Sequence, residues 1–151
     1  MLTDYLTTDT ILFAEHVDGW REAIALVSQP LLDAGSITSG YVDSMTDSIA
    51  GGGTYIDLGF GIALAHSRPE AGVVHTGLSS LRVTPPVLLN DEESHPIDQF
   101  FCLAATDAQG HLETMQELAG LLSDDELRSE LLAAQTPAQV TAVLHKIGTS
   151  K

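Results

Sequence analysis

A chain of 151 residues with 44% apolar and 18% charged side chains can bury one full core, and it has no apolar run long enough for a membrane span. Its 21 acidic against six basic residues give a net charge of −15, which repels nucleic acid and anionic membranes and favours partners with basic contact faces. The single cysteine excludes an internal disulfide framework and suits a reducing compartment; MLTDYLTTDT lacks the basic start of a secretory signal, so the expected location is cytoplasmic.

In chain order, Asp18 is placed to cap a first helix in which Trp20, Ile24, Val27, Leu31 and Ala34 share one face. Gly35 ends that helix and Pro30 predicts a kink in it. A second helix over about 39–49 turns Val42, Met45 and Ile49 inward and stops at Gly51, Gly52 and Gly53. Apolar runs at 54–58, 62–66 and 73–83 read as strands, as does Phe100 to Thr106, which is apolar enough to be central. Pro85, Pro86 and the polar segment 90–96 predict the loop between the last two.

The C-terminal third is helical. Ser123 with Glu126, and Thr136 with Gln139 and Pro137, match capping boxes. Leu112, Met115, Leu118 and Leu122 form one apolar stripe, and Val140, Val143, Leu144 and Ile147 form another. With no repeat, low-complexity tract or long linker, residues 1–151 read as a single domain. Helices at both ends around central strands predict an α/β three-layer sandwich, with a central mixed sheet flanked by helices.

Among six histidines, His66 is singled out by position: it ends the run Ile62 to Ala65 and precedes Ser67, Arg68 and Pro69, which places it where a strand runs into a loop. A histidine so placed can accept a phosphoryl group when one ring nitrogen is held as a donor and the other presents its lone pair. Such a group needs cations and donors around its oxygens, and Arg68 is the local cation. His111, near the start of a predicted helix, offers a second imidazole, although sequence spacing alone does not bring it to His66. Cys102 lies in an apolar run and reads as a packing thiol.

Other chemistries lack motifs. There is no metal-ligand spacing of the His-x-x-x-His or Cys-x-x-Cys kind, and the cluster Asp91, Glu92, Glu93, His95 reads as a polar loop. The glycine run lacks the Gly-Lys-Ser/Thr of a phosphate-binding loop, and no Gly-x-Ser-x-Gly elbow occurs. Neither a metal nor a cofactor is expected.

The run Gly61-Ile62-Ala63-Leu64-Ala65-His66 resembles the phosphorylation motif of the type-2 enzyme IIA family of the sugar phosphotransferase system. His66-Ser67-Arg68-Pro69-Glu70-x-Gly72-Val73 is similar to its ascorbate-type version. Further likeness lies in Asp18-x-Trp20-x-x-Ala23, Thr76-Gly77-Leu78-Ser79, and Ala104-Ala105-x-Asp107 leading to His111-Leu112. Two positions depart: Ala65 stands where the family has proline and is expected to keep the same extended conformation. Ala50 stands near the place of the mannitol-type arginine, which speaks against a mannitol-type assignment and leaves Arg68 as the phosphate-facing cation. His75 is expected to be solvent-exposed.

The resemblance implies a phosphotransferase component. His66 would accept a phosphoryl group at Nε2 from phosphorylated HPr and pass it to a cysteine of enzyme IIB, serving the membrane component IIC only indirectly. His111 would stabilise the phosphorylated state, with Arg68 and Ser67 around the phosphoryl group. The sugar is expected to be ascorbate-like, and a homodimer is left open. Two alternatives stand beside this: a regulatory module whose His66 phosphorylation controls a protein partner, and a plain α/β domain in which His66 is inert.

Overall fold

The computed structural model describes residues 5–147, apart from the side chains at positions 55, 108, 110, 111 and 147. Five strands form one sheet: β1 (Ile11–Glu15), β2 (Asp57–Gly59), β3 (Ile62–Ala65), β4 (Gly77–Leu88) and β5 (Pro96–Ala104), in the order β1-β4-β5-β3-β2. The sheet is mixed. β1 runs parallel to β4 and β3 parallel to β5, whereas the β4–β5 and β2–β3 pairs are antiparallel. Helices α1 (Trp20–Asp33) and α2 (Ser39–Ala50) precede the site, and α3 (Ala108–Ser123), α4 (Asp125–Ala133) and α5 (Pro137–Ile147) follow β5.

Strand residues divide between two cores by alternation. Ala63, Ala65, Phe100, Cys102 and Ala104 join α1 and α2 on one face, while Ile62, Leu64, Phe101 and Leu103 join α3, α4 and α5 on the other. Side chains of β3 and of the Phe100–Ala104 half of β5 are covered on both faces, so these stretches carry no polar residues apart from Cys102 and lie inside the three-layer sandwich. Arg82 ties the sheet to the second layer, donating to the Leu132 carbonyl at 2.6 Å and the Leu131 carbonyl at 3.0 Å near the C-terminal end of α4, where a cation is favoured.

Both first helices end as their glycines predict. Ser36 N–H bonds Leu31 O and Gly35 N–H bonds Leu32 O, and the same paired closure recurs from Gly53 to Ser48 and Gly52 to Ile49. The start of α1 differs: Gly19 is the capping residue, and Asp18 donates its backbone N–H to the Glu22 carboxylate at 2.7 Å instead of making the cap. Ala34 is exposed, because the helix has already ended at Asp33, and α1 continues through Pro30.

Several other boundaries are corrected. β1 has no counterpart among the expected strands; it is a sheet-edge strand with only Ile11 fully buried, so its five residues carry a weak pattern. Pro85 and Pro86 lie within β4, where the β4–β5 ladder is interrupted between Arg82 and Val87, and the interruption tolerates residues without an N–H. The run 54–58 divides into a 3-10 turn (Thr54–Ile56) and β2; the run 73–83 becomes strand only at Gly77.

In the C-terminal third, Asp124 caps α4 through Oδ1, which accepts from Glu126 N–H and Leu127 N–H at 3.0 Å each, and Ser123 still belongs to α3. Thr136 does cap α5, accepting from Gln139 N–H at 3.2 Å; the return bond of Gln139 goes to Gln135 N–H. Leu112 is half exposed, and Leu121 is buried in its stead; Ile147 lies outside the described side chains. No helix among the described residues is long and apolar enough to cross a membrane.

Candidate phosphoryl-transfer site

The site is built by strand direction. β3 and β5 are parallel, with Ala65 opposite Cys102, so the chain leaves β3 at His66 on the same end of the sheet where β5 gives way to Thr106, Asp107 and α3. β4 begins there too, with Gly77 opposite Ala104, and Thr76 Oγ1 accepts from Thr106 N–H at 3.4 Å. Carboxyl ends of parallel strands are where α/β sheets place their ligands. Ala65 is itself a strand residue, so the extended conformation expected of it at the motif's proline position is present.

His66 is half-buried, and its Nδ1 lies 2.9 Å from the carbonyl of Leu64. A carbonyl only accepts, so Nδ1 carries the proton and Nε2 carries the lone pair. The ring is thereby fixed in tautomer and orientation by its own strand.

The next residue is held twice from α2. Ser67 N–H donates to the Tyr41 hydroxyl at 2.9 Å, and Tyr41 donates onward to the Leu103 carbonyl at 2.7 Å. One turn along the helix, Ser44 Oγ lies 2.5 Å from Ser67 Oγ. Burial raises the Tyr41 phenol well above its ordinary value, so it remains a neutral donor and acceptor.

Beyond Ser67 the chain makes a 3-10 turn at Pro69–Ala71 and returns to α2. Gly72 O accepts from Thr38 N–H at 2.9 Å, and Val74 N–H donates to Ser36 O at 2.7 Å. Gly72 has φ 146°, and a Cβ there would fall 2.1 Å from Thr38 Oγ1, so no other residue fits.

These segments enclose an open cleft of about 1200 Å³. His66, Ser67 and Arg68 all line it, so three of the four expected site residues meet in one place. Arg68 is exposed on its rim. The fourth, His111, is the fourth residue of α3, whose first turn follows β5 at this end of the sheet; its side chain lies outside the described residues. Ala50 does not line the cleft, and α2 contributes Ser44 and Ser48. Glu70 and Asp107 add carboxylates.

Tyr41, Ser44 and Ser48 were not expected from sequence. Their only signal is a 3- and 4-residue spacing on one helix face, and nothing in it points to residue 67.

The remaining candidates are placed elsewhere. His95 bonds Asp57 through Nδ1 at 2.8 Å, and among the described residues no group of His, Cys, Asp and Glu is arranged to hold a metal ion. Cys102 is fully buried, 3.9 Å from Met45 Sδ, and desolvation pushes its thiol up to about 12. His75 is exposed.

Residues 4–147 match the family described as the phosphoenolpyruvate-dependent sugar phosphotransferase system, EIIA 2. A mannitol-specific cryptic phosphotransferase enzyme IIA component of Escherichia coli (strain K12) is 33% identical over 147 residues, covering 96% of this chain and 98% of the relative. The solution structure of the mannitol-specific cryptic enzyme IIA from Escherichia coli has a TM-score of 0.88 at 31% identity, covering 96% of this chain and 98% of that one. The ascorbate-specific EIIA component of Escherichia coli (strain K12) is 28% identical over 138 residues, covering 91% and 90%. The fold is also that of the enzyme IIA in a complex of mannitol IIA with phosphorylated IIB from Escherichia coli, at TM-score 0.76 and 22% identity, covering 91% and 95%. Strand-end histidine, fold and near full-length match agree: the chain belongs to the EIIA 2 family of the phosphoenolpyruvate-dependent sugar phosphotransferase system.

Proposed function

We propose that this chain is a single-domain cytoplasmic phosphoryl relay: His66 accepts a phosphoryl group from phosphorylated HPr and delivers it to a cysteine of an enzyme IIB. The observation that carries this is the bond from His66 Nδ1 to the Leu64 carbonyl, which leaves the lone pair on Nε2. In the first step the Nε2–P bond forms as the donor's N–P bond breaks, and the donor imidazole recovers its lone pair. In the second the thiolate sulfur of IIB attacks phosphorus, and the Nε2–P bond breaks with its electron pair returning to His66. His66 is therefore regenerated in each cycle, and no cofactor is needed.

Positioning and electrostatics do most of the work in such a transfer. Arg68 supplies the cation and Ser67 a hydroxyl at the phosphoryl oxygens, while His111, by family resemblance, stabilises the phosphorylated ring. The net charge of −15 favours approach of a basic donor. The solved mannitol IIA with phosphorylated IIB supports IIB as acceptor. The transported compound is a sugar or sugar-like substrate of the partner membrane component. The mannitol-named relative is 33% identical over 147 residues and the ascorbate-specific one 28% over 138, so both likenesses run along the chain, and the motif around His66 is the feature that favours an ascorbate-like compound.

Incubation with phosphoenolpyruvate, enzyme I and HPr should add one acid-labile phosphoryl group by intact mass, and His66→Ala should abolish it. A wild-type chain that takes up no phosphoryl group overturns the proposal.

A further inference from the structure

We propose that Ser44 is a positioning residue for phosphoryl transfer: it fixes the Ser67 hydroxyl, beside His66, as a neutral hydrogen-bond donor to the phosphoryl group. The proposal rests on the relay function above and names a part of its machinery that the motif around His66 does not contain.

The charge of the described cleft residues favours neutral donors. A phosphoryl group brings close to two negative charges, yet among the described residues the cleft sets one exposed cation, Arg68, against the carboxylates of Glu70 and Asp107. Backbone donation from Ser67 is already taken, because its N–H is bound to Tyr41. The Ser67 hydroxyl is therefore the donor nearest to His66 in sequence that can still turn toward a ligand.

Ser44 determines where that hydroxyl points. Tyr41 and Ser44 are three residues apart on α2 and face the same way, so the helix holds Ser67 by its backbone and its side chain together. Either hydroxyl of the 2.5 Å pair could donate to the other. With an anion in the cleft one direction wins: Ser44 O–H donates to Ser67 Oγ, and Ser67 O–H donates to a phosphoryl oxygen. Each link polarises the next, so the terminal donor is stronger than an isolated serine. Ser48, one further turn along α2, brings another hydroxyl to the same wall.

The test is a double-mutant cycle on the rate of phosphoryl transfer from phospho-HPr, with Ser44→Ala, Ser67→Ala and the double variant. Ser67→Ala should slow transfer by roughly tenfold, the usual effect of losing a hydrogen bond to a charged group, and Ser44→Ala by a similar factor, because it releases that same donor from its orientation. The double variant should be no slower than the slower single, because the two hydroxyls act as one chain. Phospho-His66 should also hydrolyse faster, and its phosphorus resonance should shift in Ser44→Ala, neither of which a merely structural role would produce. Multiplicative losses in the double variant, or an unchanged rate in Ser44→Ala, overturn the proposal. Wild-type protein that is never phosphorylated removes the relay function itself, a distinct result visible before any variant is made.

Discussion

Two histidines at opposite ends of the sheet hold the same ring nitrogen to different acceptors. His66, where β3 and β5 end, gives Nδ1–H to the Leu64 carbonyl at 2.9 Å, whereas His95, just before β5 begins, holds the Asp57 carboxylate at 2.8 Å. A carbonyl accepts one ring proton and so selects the tautomer whose lone pair lies on the far nitrogen. A carboxylate forms an ion pair as soon as the ring takes a second proton, which would occupy that lone pair. The first arrangement suits a nucleophile; the second suits a clamp between β2 and the loop before β5.

The surroundings differ in the same sense. Around His66 the supporting bonds run through Tyr41, a buried phenol with 1% exposure, while the His95–Asp57 side chains are 26% and 16% exposed. Removing a partner from a buried network leaves unsatisfied groups, whereas water replaces a lost partner at a wet site.

Of the three variants that probe this contrast, Tyr41→Phe should have the largest effect on stability. It leaves Ser67 N–H and the Leu103 carbonyl without their hydroxyl partner, and urea unfolding should record a loss of about 2 kcal/mol. A loss below the uncertainty of the midpoint would mean that the two ends are equally soft. Arg68→Ala comes next. As an exposed rim residue it should leave the unfolding midpoint in place while slowing phosphoryl transfer by roughly tenfold, the worth of one charged contact. An unchanged rate removes it from the site. The smallest change is expected for His95→Ala, about 1 kcal/mol or less in unfolding, with transfer from phospho-HPr at the wild-type rate. Slower transfer in that variant would erase the distinction between the two histidines.

How legible each region was follows from where its information lies. Gly35 and the run Gly51 to Gly53 stopped their helices as read, because the closing bonds are made within six residues. Trp20, Ile24, Val27 and Leu31 faced the core because helical periodicity is local as well. Misreadings arose where tertiary context decided: β1 is a strand because β4 accepts it at the sheet edge, and Pro85 and Pro86 stay in β4 because the ladder lapses beside them. Asp124 displaced Ser123 as a cap by one position, which adjacent capping residues cannot settle by spacing.

The candidate site divides in the same way. His66, Ser67 and Arg68 are consecutive, so one motif finds all three. Tyr41 and Ser44 reach Ser67 across 26 and 23 residues, and only the packing of α2 against this end of the sheet brings them there.

Glycine in a loop beside a reactive group is commonly taken for a hinge, but Gly72 does the opposite. Its missing side chain lets the loop press onto Thr38, and the bonds from Thr38 N–H to Gly72 O and from Val74 N–H to Ser36 O bolt its returning end to the segment before α2. The stretch from Ser67 to Val74 is therefore a fixed template. On the relay function, donor and acceptor meet the same surface in turn, and the adjustment needed to fit it falls on them. Amide exchange at Thr38 and Val74 would then be equally slow before and after phosphorylation, a signature of a carrier that changes its cargo without changing its shape.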